Sequence, residues 1–253
     1  MMVEQLPVVL VTGSAGRGIG QATIRRLAKA GASVVITDVH PQRTAAVTED
    51  VTRDHPNTHV LGRVMDVRDR DQIDAVLAEV TAELGPVTVL VNNAAVNYVG
   101  SIFDYDPALW DETLKVNITG PWYVSSRVFA GMRDAGGGVI INVSSYAADV
   151  GGAGLETPYA VSKGALNTLT RCLAHEGGPF GIRANTVTLG MIAGTKYVDD
   201  NAQLLERHDA VGPLGSLATV AEVAETIAFL TSDAARHITG ETINIAGGAY
   251  MRN

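Results

Sequence analysis

Short runs of aliphatic and β-branched residues recur along the chain, and most are apolar at several consecutive positions. Strands buried on both faces of a parallel sheet have this pattern, because helices cover the sheet from both sides. The pattern predicts strands over residues 8–11, 33–37, 59–64, 87–91, 139–143, 183–188 and 242–245.

Segments with apolar residues at helical spacing separate these runs. They predict helices over residues 19–30, 70–84, 109–135, 159–176 and 220–230, and several of these segments end at a glycine, as helices often do. Alternating strands and helices predict an α/β fold, a doubly wound parallel sheet with helices on both faces (Rossmann fold). With no linker-like cluster and no internal repeat, we expect a single domain over residues 1–253.

Composition limits the possible partners. Hydrophobic residues make up 46% of the chain and the formal charge is −8, with no basic stripe, so global disorder and nucleic-acid binding are not expected. No apolar run approaches the roughly 20 residues that span a bilayer, which indicates no membrane partner. A single cysteine, Cys172, fits a reducing cytoplasm and is expected in the core. The six histidines lack metal-ligand spacing, so no metal is expected.

A glycine-rich segment, TGSAGRGIG (residues 12–20), follows the first predicted strand and begins a helix. Glycines allow backbone N–H groups to approach a pyrophosphate at the positive end of the helix dipole. Asp38 ends the next strand, where a carboxylate accepts the ribose hydroxyls and repels a 2′-phosphate. We therefore predict NAD as the cofactor, although Arg17 in the loop could meet a 2′-phosphate.

Polar or small residues follow the third and fourth strands, where they would line the crevice for adenine and ribose. Ordinary loop chemistry explains them equally well. They are Asp66, Val67, Asn92, Asn93 and Ala94.

Tyr159 and Lys163 stand four positions apart at the start of a predicted helix, so their side chains share one face. A nearby ammonium favours the phenolate, so we expect Lys163 to lower the pKa of Tyr159 toward the range of a useful acid/base. Ser144 and Ser145 follow the fifth strand, and a hydroxyl there could bind a substrate oxygen on which charge develops.

Taken together, these features resemble the short-chain dehydrogenase/reductase family over nearly the whole chain. The matching features lie in the family's order: Gly13, Gly18, Ile19 and Gly20, then Asp66-Val67, Asn92-Asn93-Ala94, Asn117, Ser145, Tyr159, Lys163, Gly190-Met191-Ile192 and Gly247-Gly248.

The resemblance implies a role for each catalytic candidate. Tyr159 would be the acid/base, Lys163 would lower its pKa and hold the nicotinamide ribose, and Ser145 would orient the reacting oxygen. Asn117 would hold a water that links the lysine to solvent, and the backbone of Ile192 would contact the nicotinamide. The resemblance also implies a homotetramer.

Four positions depart from the family pattern. The glycine loop carries one extra residue between Gly13 and Gly18, Ala95 stands where glycine is usual, and Leu189 replaces a proline. The spacing from Ser145 to Tyr159 is one residue longer than usual, which leaves Ser144 as a lesser candidate.

The combined interpretation is an NAD-dependent oxidoreductase that interconverts a secondary alcohol and a ketone. A hydroxyacyl thioester, a polyol or sugar, and a terpenoid or steroid alcohol all remain open as substrates. Glu156 and Asn97 could bind a polar substrate or be exposed loop residues. The alternatives are a non-catalytic dinucleotide-binding regulator on the same fold and a methyltransferase, which shares the glycine-rich turn but has no use for a Tyr–Lys pair.

Overall fold

The computed structural model describes residues 6–152, 154–200 and 211–251. Its main element is a seven-stranded sheet in the order β3-β2-β1-β4-β5-β6-β9, in which every neighbouring pair is parallel. The strands are β1 (Val8–Thr12), β2 (Ser33–Asp38), β3 (Val60–Val64), β4 (Val89–Asn92), β5 (Gly138–Ser145), β6 (Ile182–Leu189) and β9 (Thr242–Ile245). The predicted fold class, a single doubly wound domain, is confirmed.

Helices connect successive strands. They are α1 (Ile19–Lys29), α2 (Pro41–Asp54), α3 (Arg70–Leu84), α4 (Pro107–Leu114), α5 (Gly120–Asp134), α6 (Ala147–Val150), α7 (Thr157–Gly177), α8 (Lys196–Asp200) and α9 (Val220–Thr231). Two short strands, β7 (Ile192–Ala193) and β8 (Ala218–Thr219), pair in parallel outside the main sheet. Short 3-10 turns lie at Gly178–Phe180 and Asp233–Ala235.

Hydrophobic side chains form one core on each face of the sheet. Alternate residues of a strand point to opposite faces, so Val9 and Val11 of β1 pack with Ile24 of α1, while Leu10 packs with Met132 of α5 on the other face. Burial on both faces explains why the sequence shows continuous apolar runs and no strict alternation.

Two helix predictions differ from the structure. The sequence pattern predicted no helix between β2 and β3, but α2 lies there and begins with Pro41, a residue suited to the first turn because it has no N–H to leave unsatisfied. The predicted helix over 109–135 is two helices, α4 and α5, joined by a wider π-helical turn at Lys115–Thr119. Asn117 lies in this turn.

Cys172 is exposed, so its predicted place in the core is wrong. The buried positions that flank it on α7 are Thr170, Leu173 and Ala174, and helical periodicity turns residue 172 to the opposite, solvent side. Within the described part of the chain, no helix has the length and apolar character needed to cross a membrane.

A chain of buried polar side chains crosses the middle of the sheet. The Asn92 amide donates to Ser125 Oγ (3.1 Å) and to Asn142 Oδ1 (2.8 Å), the Asn142 amide donates to Thr170 Oγ1 (2.8 Å), and Thr170 bonds Thr186 (2.7 Å). This chain connects β4, β5 and β6 to α5 and α7, directly beneath the strand ends that carry the candidate site.

Candidate active site

A cavity of about 600 Å³ opens at the carboxyl ends of β4, β5 and β6. Ligands bind at this edge in doubly wound sheets. Six of the predicted site residues line this cavity, together with several residues that the sequence analysis did not assign to the site. The predicted ones are Ile19, Asn93, Ser145, Tyr159, Lys163 and Ile192.

The glycine loop lies against the end of β4, and its glycines are required there. Gly13 has φ +61°, and a Cβ on it would lie 2.9 Å from the Cα of Ala94. A Cβ on Gly20 would lie 2.6 Å from Nδ2 of Asn93, and Gly18 has φ +149°, which side chains rarely allow. This close backbone approach before the N-terminus of α1 fits the pyrophosphate of a dinucleotide.

Asn93 and Ala94 hold the loop in place through Thr12. Both backbone N–H groups donate to Thr12 Oγ1 at 3.0 Å, and the Asn93 side-chain amide donates to the carbonyls of Thr12 and Gly13 at 2.9 Å. The Asn93 side chain therefore fixes the loop on which a cofactor would rest.

Asp38 lies at the end of β2, 7% exposed, beside the glycine loop. Its carboxylate accepts from the backbone N–H of Ala15 (3.3 Å) and of His40 (3.2 Å), and the Arg43 guanidinium lies 3.9 Å away. Arg17, which could meet the 2′-phosphate of NADPH, forms an ion pair with Asp199 of α8.

Eight of the predicted cofactor residues lie outside the cavity lining: Gly13, Gly18, Gly20, Asp38, Asp66, Val67, Asn92 and Ala94. Asp66 accepts hydrogen bonds from Arg68 (Nε to Oδ1, 2.9 Å), which hold the pKa of the Asp66 carboxyl below its usual value. Val67 is buried against the start of α5 at Gly120. The Asn92 side chain is 2% exposed and belongs to the buried polar chain, so it is not positioned to contact a cofactor in the groove.

The catalytic candidates meet where β5 ends beside α7. The Lys163 ammonium donates to the carbonyl of Val143 at 2.8 Å and lies 5.4 Å from the centre of the Tyr159 ring. The Ser145 hydroxyl hydrogen-bonds the Tyr159 hydroxyl. Ser144 instead donates to the carbonyl of Lys163 at 3.2 Å. Of the two serines, Ser145 is therefore the one placed beside the phenol.

The pKa of Tyr159 differs from the expectation. Burial raises it to about 12, the Ser145 hydrogen bond opposes this rise, and the charge of Glu156 adds to it. Burial also lowers the pKa of Lys163 to about 8. In this structure, removal of the phenol from water outweighs any attraction of the phenolate to the lysine, so the expected lowering is not observed.

Asn117 lies behind the cavity and is 1% exposed. Its side chain bonds both backbone groups of Val96 at 2.9 Å and donates to Ser162 Oγ at 3.1 Å. Because the side chain is engaged in these contacts, any water that Asn117 holds would bind its backbone carbonyl in the π-helical turn.

The far side of the cavity contains residues that the sequence left ambiguous or missed. The Asn97 amide donates to Glu156 Oε1 at 2.7 Å, and the Tyr197 hydroxyl lies 3.4 Å from the same oxygen. Glu156 is 7% exposed, so it is part of the pocket and not an exposed loop residue. Tyr146 lines the cavity too, and its ring lies 6.3 Å from that of Tyr250. Tyr197 lies on α8 and does not come directly after any strand that the sequence predicted, which is why its position gave no signal.

Comparison with known proteins identifies the family. The family model described as Enoyl-(Acyl carrier protein) reductase matches residues 13–250. A Streptomyces niveus protein, "Short-chain reductase protein NovJ", is 37% identical over 257 residues, which cover 97% of this chain and 95% of that protein. The chain belongs to the short-chain dehydrogenase/reductase family.

Two further relatives show how diverse the substrates of this family are. A Mycobacterium tuberculosis protein, "(5R,7aS)-5-hydroxy-7a-methyl-1-oxo-2,3,5,6,7,7a-hexahydro-1H-indene-carboxyl-CoA reductase", is 37% identical, covering 94% of this chain and 91% of that protein. The crystal structure of L-sorbose reductase from Gluconobacter frateurii, complexed with NADPH and L-sorbose, has a TM-score of 0.90 at 26% identity and covers 98% of both chains.

Membership in the short-chain dehydrogenase/reductase family identifies the chain as an oxidoreductase, with relatives that act on CH–OH or keto groups. It supports a nicotinamide dinucleotide as cofactor. The methyltransferase interpretation is therefore wrong.

Proposed function

We propose that this protein is an NAD-preferring oxidoreductase that interconverts a secondary alcohol and a ketone, with Tyr159, Lys163, Ser145 and Asn117 as its catalytic residues. One observation carries the proposal. Tyr159, Lys163 and Ser145 line a single cavity, with the Lys163 ammonium 5.4 Å from the Tyr159 ring and the Ser145 hydroxyl bonded to the Tyr159 hydroxyl. A non-catalytic regulator would have no need for this arrangement.

The proton transfer follows from these contacts. In reduction, the Tyr159 hydroxyl donates a proton to the carbonyl oxygen of the substrate, and in oxidation the phenolate takes the proton back. Ser145 donates a hydrogen bond to the same oxygen as negative charge develops on it. A bound nicotinamide supplies the hydride for reduction or accepts it in oxidation.

Lys163 and Asn117 do not exchange a proton with the substrate themselves but support Tyr159. The positive charge of Lys163 near the ring favours the phenolate, opposing the effect of burial. The backbone carbonyl of Asn117 holds a water that passes protons between Lys163 and solvent.

The preference for NAD rests on Asp38. Its carboxylate is already held by the N–H groups of Ala15 and His40, so it lies where the adenosine ribose would bind. A 2′-phosphate would be repelled there. Arg17 is drawn away by Asp199, although Arg43 is 3.9 Å from Asp38. L-sorbose reductase is complexed with NADPH, so the test compares both cofactors.

A panel of alcohols and ketones, followed at 340 nm with NADH and with NADPH, tests the proposal. We expect carbonyl reduction with NADH and a loss of turnover in Tyr159→Phe that leaves NADH binding intact. Tight NADH binding with no turnover of any carbonyl or alcohol would favour the regulator instead.

We also propose a homotetramer, as the family resemblance implies. Large side chains exposed on α5, α7 and α9 support an assembly through helix faces: Trp122, Val161 and Phe229 are each close to half exposed. Sedimentation equilibrium should give about four times the chain mass of 26.5 kDa, and a monomer would contradict this part of the proposal.

A further inference from the structure

Three of the seven tyrosines in the chain line the cavity: Tyr146, Tyr159 and Tyr197. Tyr159 is the proposed acid/base, and the other two rings take no part in the proposed proton transfer. They come from separate parts of the fold, since Tyr146 directly follows β5 and Tyr197 lies on α8. Two aromatic rings that the fold brings into the wall of one cavity indicate a role in binding.

The Tyr146 ring is supported by a second aromatic ring. Its centre lies 6.3 Å from that of Tyr250, with 31° between the ring planes, a separation typical of interacting aromatic pairs. Tyr250 is fixed in turn, because the Asn244 side-chain amide of β9 donates to its carbonyl at 2.6 Å. The backbone N–H of Tyr146 donates to the carbonyl of Leu189 at 3.0 Å. Tyr146 therefore presents a ring whose position is set before any substrate binds.

The Tyr197 ring lies near both other phenols. Its hydroxyl is 3.4 Å from Glu156 Oε1, which anchors the ring at its tip. Burial raises the pKa of Tyr197 to about 12, and the charges of Glu156 and Tyr146 add to this rise. Tyr197 in turn adds to the raised pKa of Tyr159. Because such charge interactions weaken with distance, they agree with the shared cavity in placing the two rings beside the reacting group.

The polar side chain of Asn97, on the same wall, is engaged within the protein. Its amide donates to Glu156 Oε1 at 2.7 Å, and its Oδ1 is buried. A polyol needs a hydrogen-bond partner for each hydroxyl that it buries, and Asn97 offers it little. Apolar side chains complete the lining, among them Val96, Val150 and Met191. This part of the cavity therefore suits an apolar group better than a sugar.

We propose that the rings of Tyr146 and Tyr197 bind an aryl group attached to the reacting carbon, so that the preferred substrates are aryl ketones and the corresponding benzylic alcohols. This inference rests on the proposed function. In reduction, the carbonyl carbon gains a hydride from the reduced dinucleotide, which is oxidised, and the carbonyl oxygen gains a proton from Tyr159. The aryl ring is unchanged, and it makes the offset or edge-to-face contacts that aromatic pairs prefer.

Other groups fit this pair of rings less well. A saturated ring or an acyl chain buries apolar area there but has no π-system to complement the two phenols. A quaternary ammonium group also binds to aromatic faces. A cationic alcohol, however, would share the cavity with the Lys163 ammonium and with the positive charge of an oxidised nicotinamide. An aryl group gains the aromatic contacts without this repulsion.

The first test compares acetophenone with cyclohexyl methyl ketone, which have the same carbon skeleton and differ in aromaticity. Their intrinsic reactivities differ, so the measurement is the change in their kcat/KM ratio between variants. The ratio should fall by about three- to tenfold in Tyr146→Leu and in Tyr197→Leu, because each removes one aromatic contact. Tyr146→Phe and Tyr197→Phe keep the rings and should stay within about twofold of the wild-type ratio. Phe180→Leu, at an exposed aromatic in the turn before β6, is the matched control and should keep that ratio.

Calorimetry measures binding without turnover and needs no variant. A ketone cannot be reduced while the oxidised cofactor is bound, so the wild-type protein is saturated with whichever oxidised cofactor binds more tightly. It should then bind acetophenone at least about threefold more tightly than cyclohexyl methyl ketone. Tyr146→Leu should reduce this difference, and Phe180→Leu should retain it.

The outcomes separate the two proposals. Equal binding of the two ketones, or a ratio unchanged in both leucine variants, would overturn the inference. Tighter binding of dihydroxyacetone, an acetoacetyl thioester or acetonyltrimethylammonium than of acetophenone would also overturn it. Turnover of ketones with no aryl preference would reject this inference alone, whereas aryl-selective binding without turnover of any ketone or alcohol would reject the proposed function alone.

Discussion

The two ends of the groove hold their side chains in different ways. At the chemical end, Lys163 is 3% exposed and hydrogen-bonds the backbone of β5, and Tyr159 lies on the same helix. At the adenosine end, Arg17 has a side chain 73% exposed and pairs with Asp199 across the surface. The contrast teaches that the core fixes the groups proposed to move protons, whereas at the adenosine end the buried Asp38 is accompanied by the exposed Arg17. Substitutions should therefore reduce rate at the first end and change preference at the second.

The largest effect is expected at the phenol. Tyr159→Phe removes the only group proposed to exchange a proton with the substrate, so turnover at 340 nm should fall by about 10²–10⁴-fold. NADH binding, measured by fluorescence, should change by less than about threefold, because the helix and loop are unchanged. Tyr123→Phe, which removes a hydroxyl that donates to Asp74 on the surface, should retain its rate. A near-normal rate in Tyr159→Phe would show that another group transfers the proton.

Lys163 comes next. Lys163→Met keeps the bulk of the side chain but removes its charge, so kcat should fall by about 10-fold to 100-fold. Lys29→Met, at an exposed position of α1, is the matched control and should leave kcat unchanged. If both variants turned over like the wild type, the buried ammonium would have no part in the reaction.

A change in cofactor preference tests the adenosine end of the groove. Asp38→Asn removes the charge that repels a 2′-phosphate while keeping a hydrogen-bonding side chain, so the NADPH/NADH affinity ratio should rise by roughly tenfold. Fluorescence titration with both cofactors measures this ratio, and Asp71→Asn on the exposed side of α3 is the control. A wild-type protein that binds both cofactors equally would disprove the assignment of Asp38.

A smaller effect is expected in the pH dependence. Glu156 raises the pKa of Tyr159, so Glu156→Gln should lower that pKa. In the proposed oxidation of an alcohol the phenolate is the active form, so the rise of kcat/KM with pH should move toward lower pH by roughly half a unit. Glu176→Gln should leave the profile in place. A shift toward higher pH would show that Glu156 does not act on the phenol through its charge.

The smallest effect concerns the ion pair between Arg17 and Asp199. Exposed ion pairs contribute about 0.2–1 kcal/mol, so Arg17→Ala should change the Kd of NADH by less than about fivefold. Any change should shrink as salt is added, because salt screens exposed charges. A much larger loss that persists at high salt would indicate that Arg17 binds the cofactor directly.

The strands were predictable because their signal is local. Burial on both faces favours apolar residues at consecutive positions, as residues 8–11 show, and the run over residues 139–143 is interrupted only by Asn142. Helix α2 was not predicted, since it buries only Thr44, Val47 and Val51 and its remaining residues are polar or small. The break at Asn117 was also missed, because the apolar periodicity continues through the π-helical turn.

Part of the cavity lining was predictable from the sequence. The spacing of Tyr159 and Lys163 and the place of Ser144 and Ser145 after the fifth strand singled out residues that line one cavity. The direction of the pKa shift of Tyr159 was not predictable, since it depends on burial by residues distant in sequence. The pairing of Arg17 with Asp199 joins positions 182 residues apart, and no local pattern signals it.

The polar chain through the middle of the sheet has a consequence for redesigning the enzyme. Each side chain in it hydrogen-bonds at least one other. Replacing Thr170 with an apolar residue would leave the buried Asn142 amide without its acceptor and destabilise the part of the sheet under the strand ends. Libraries that seek new substrates should hold this chain constant and diversify Asn97, Glu156 and Tyr197. Variation there changes side chains that line the cavity and leaves the polar chain beneath it intact.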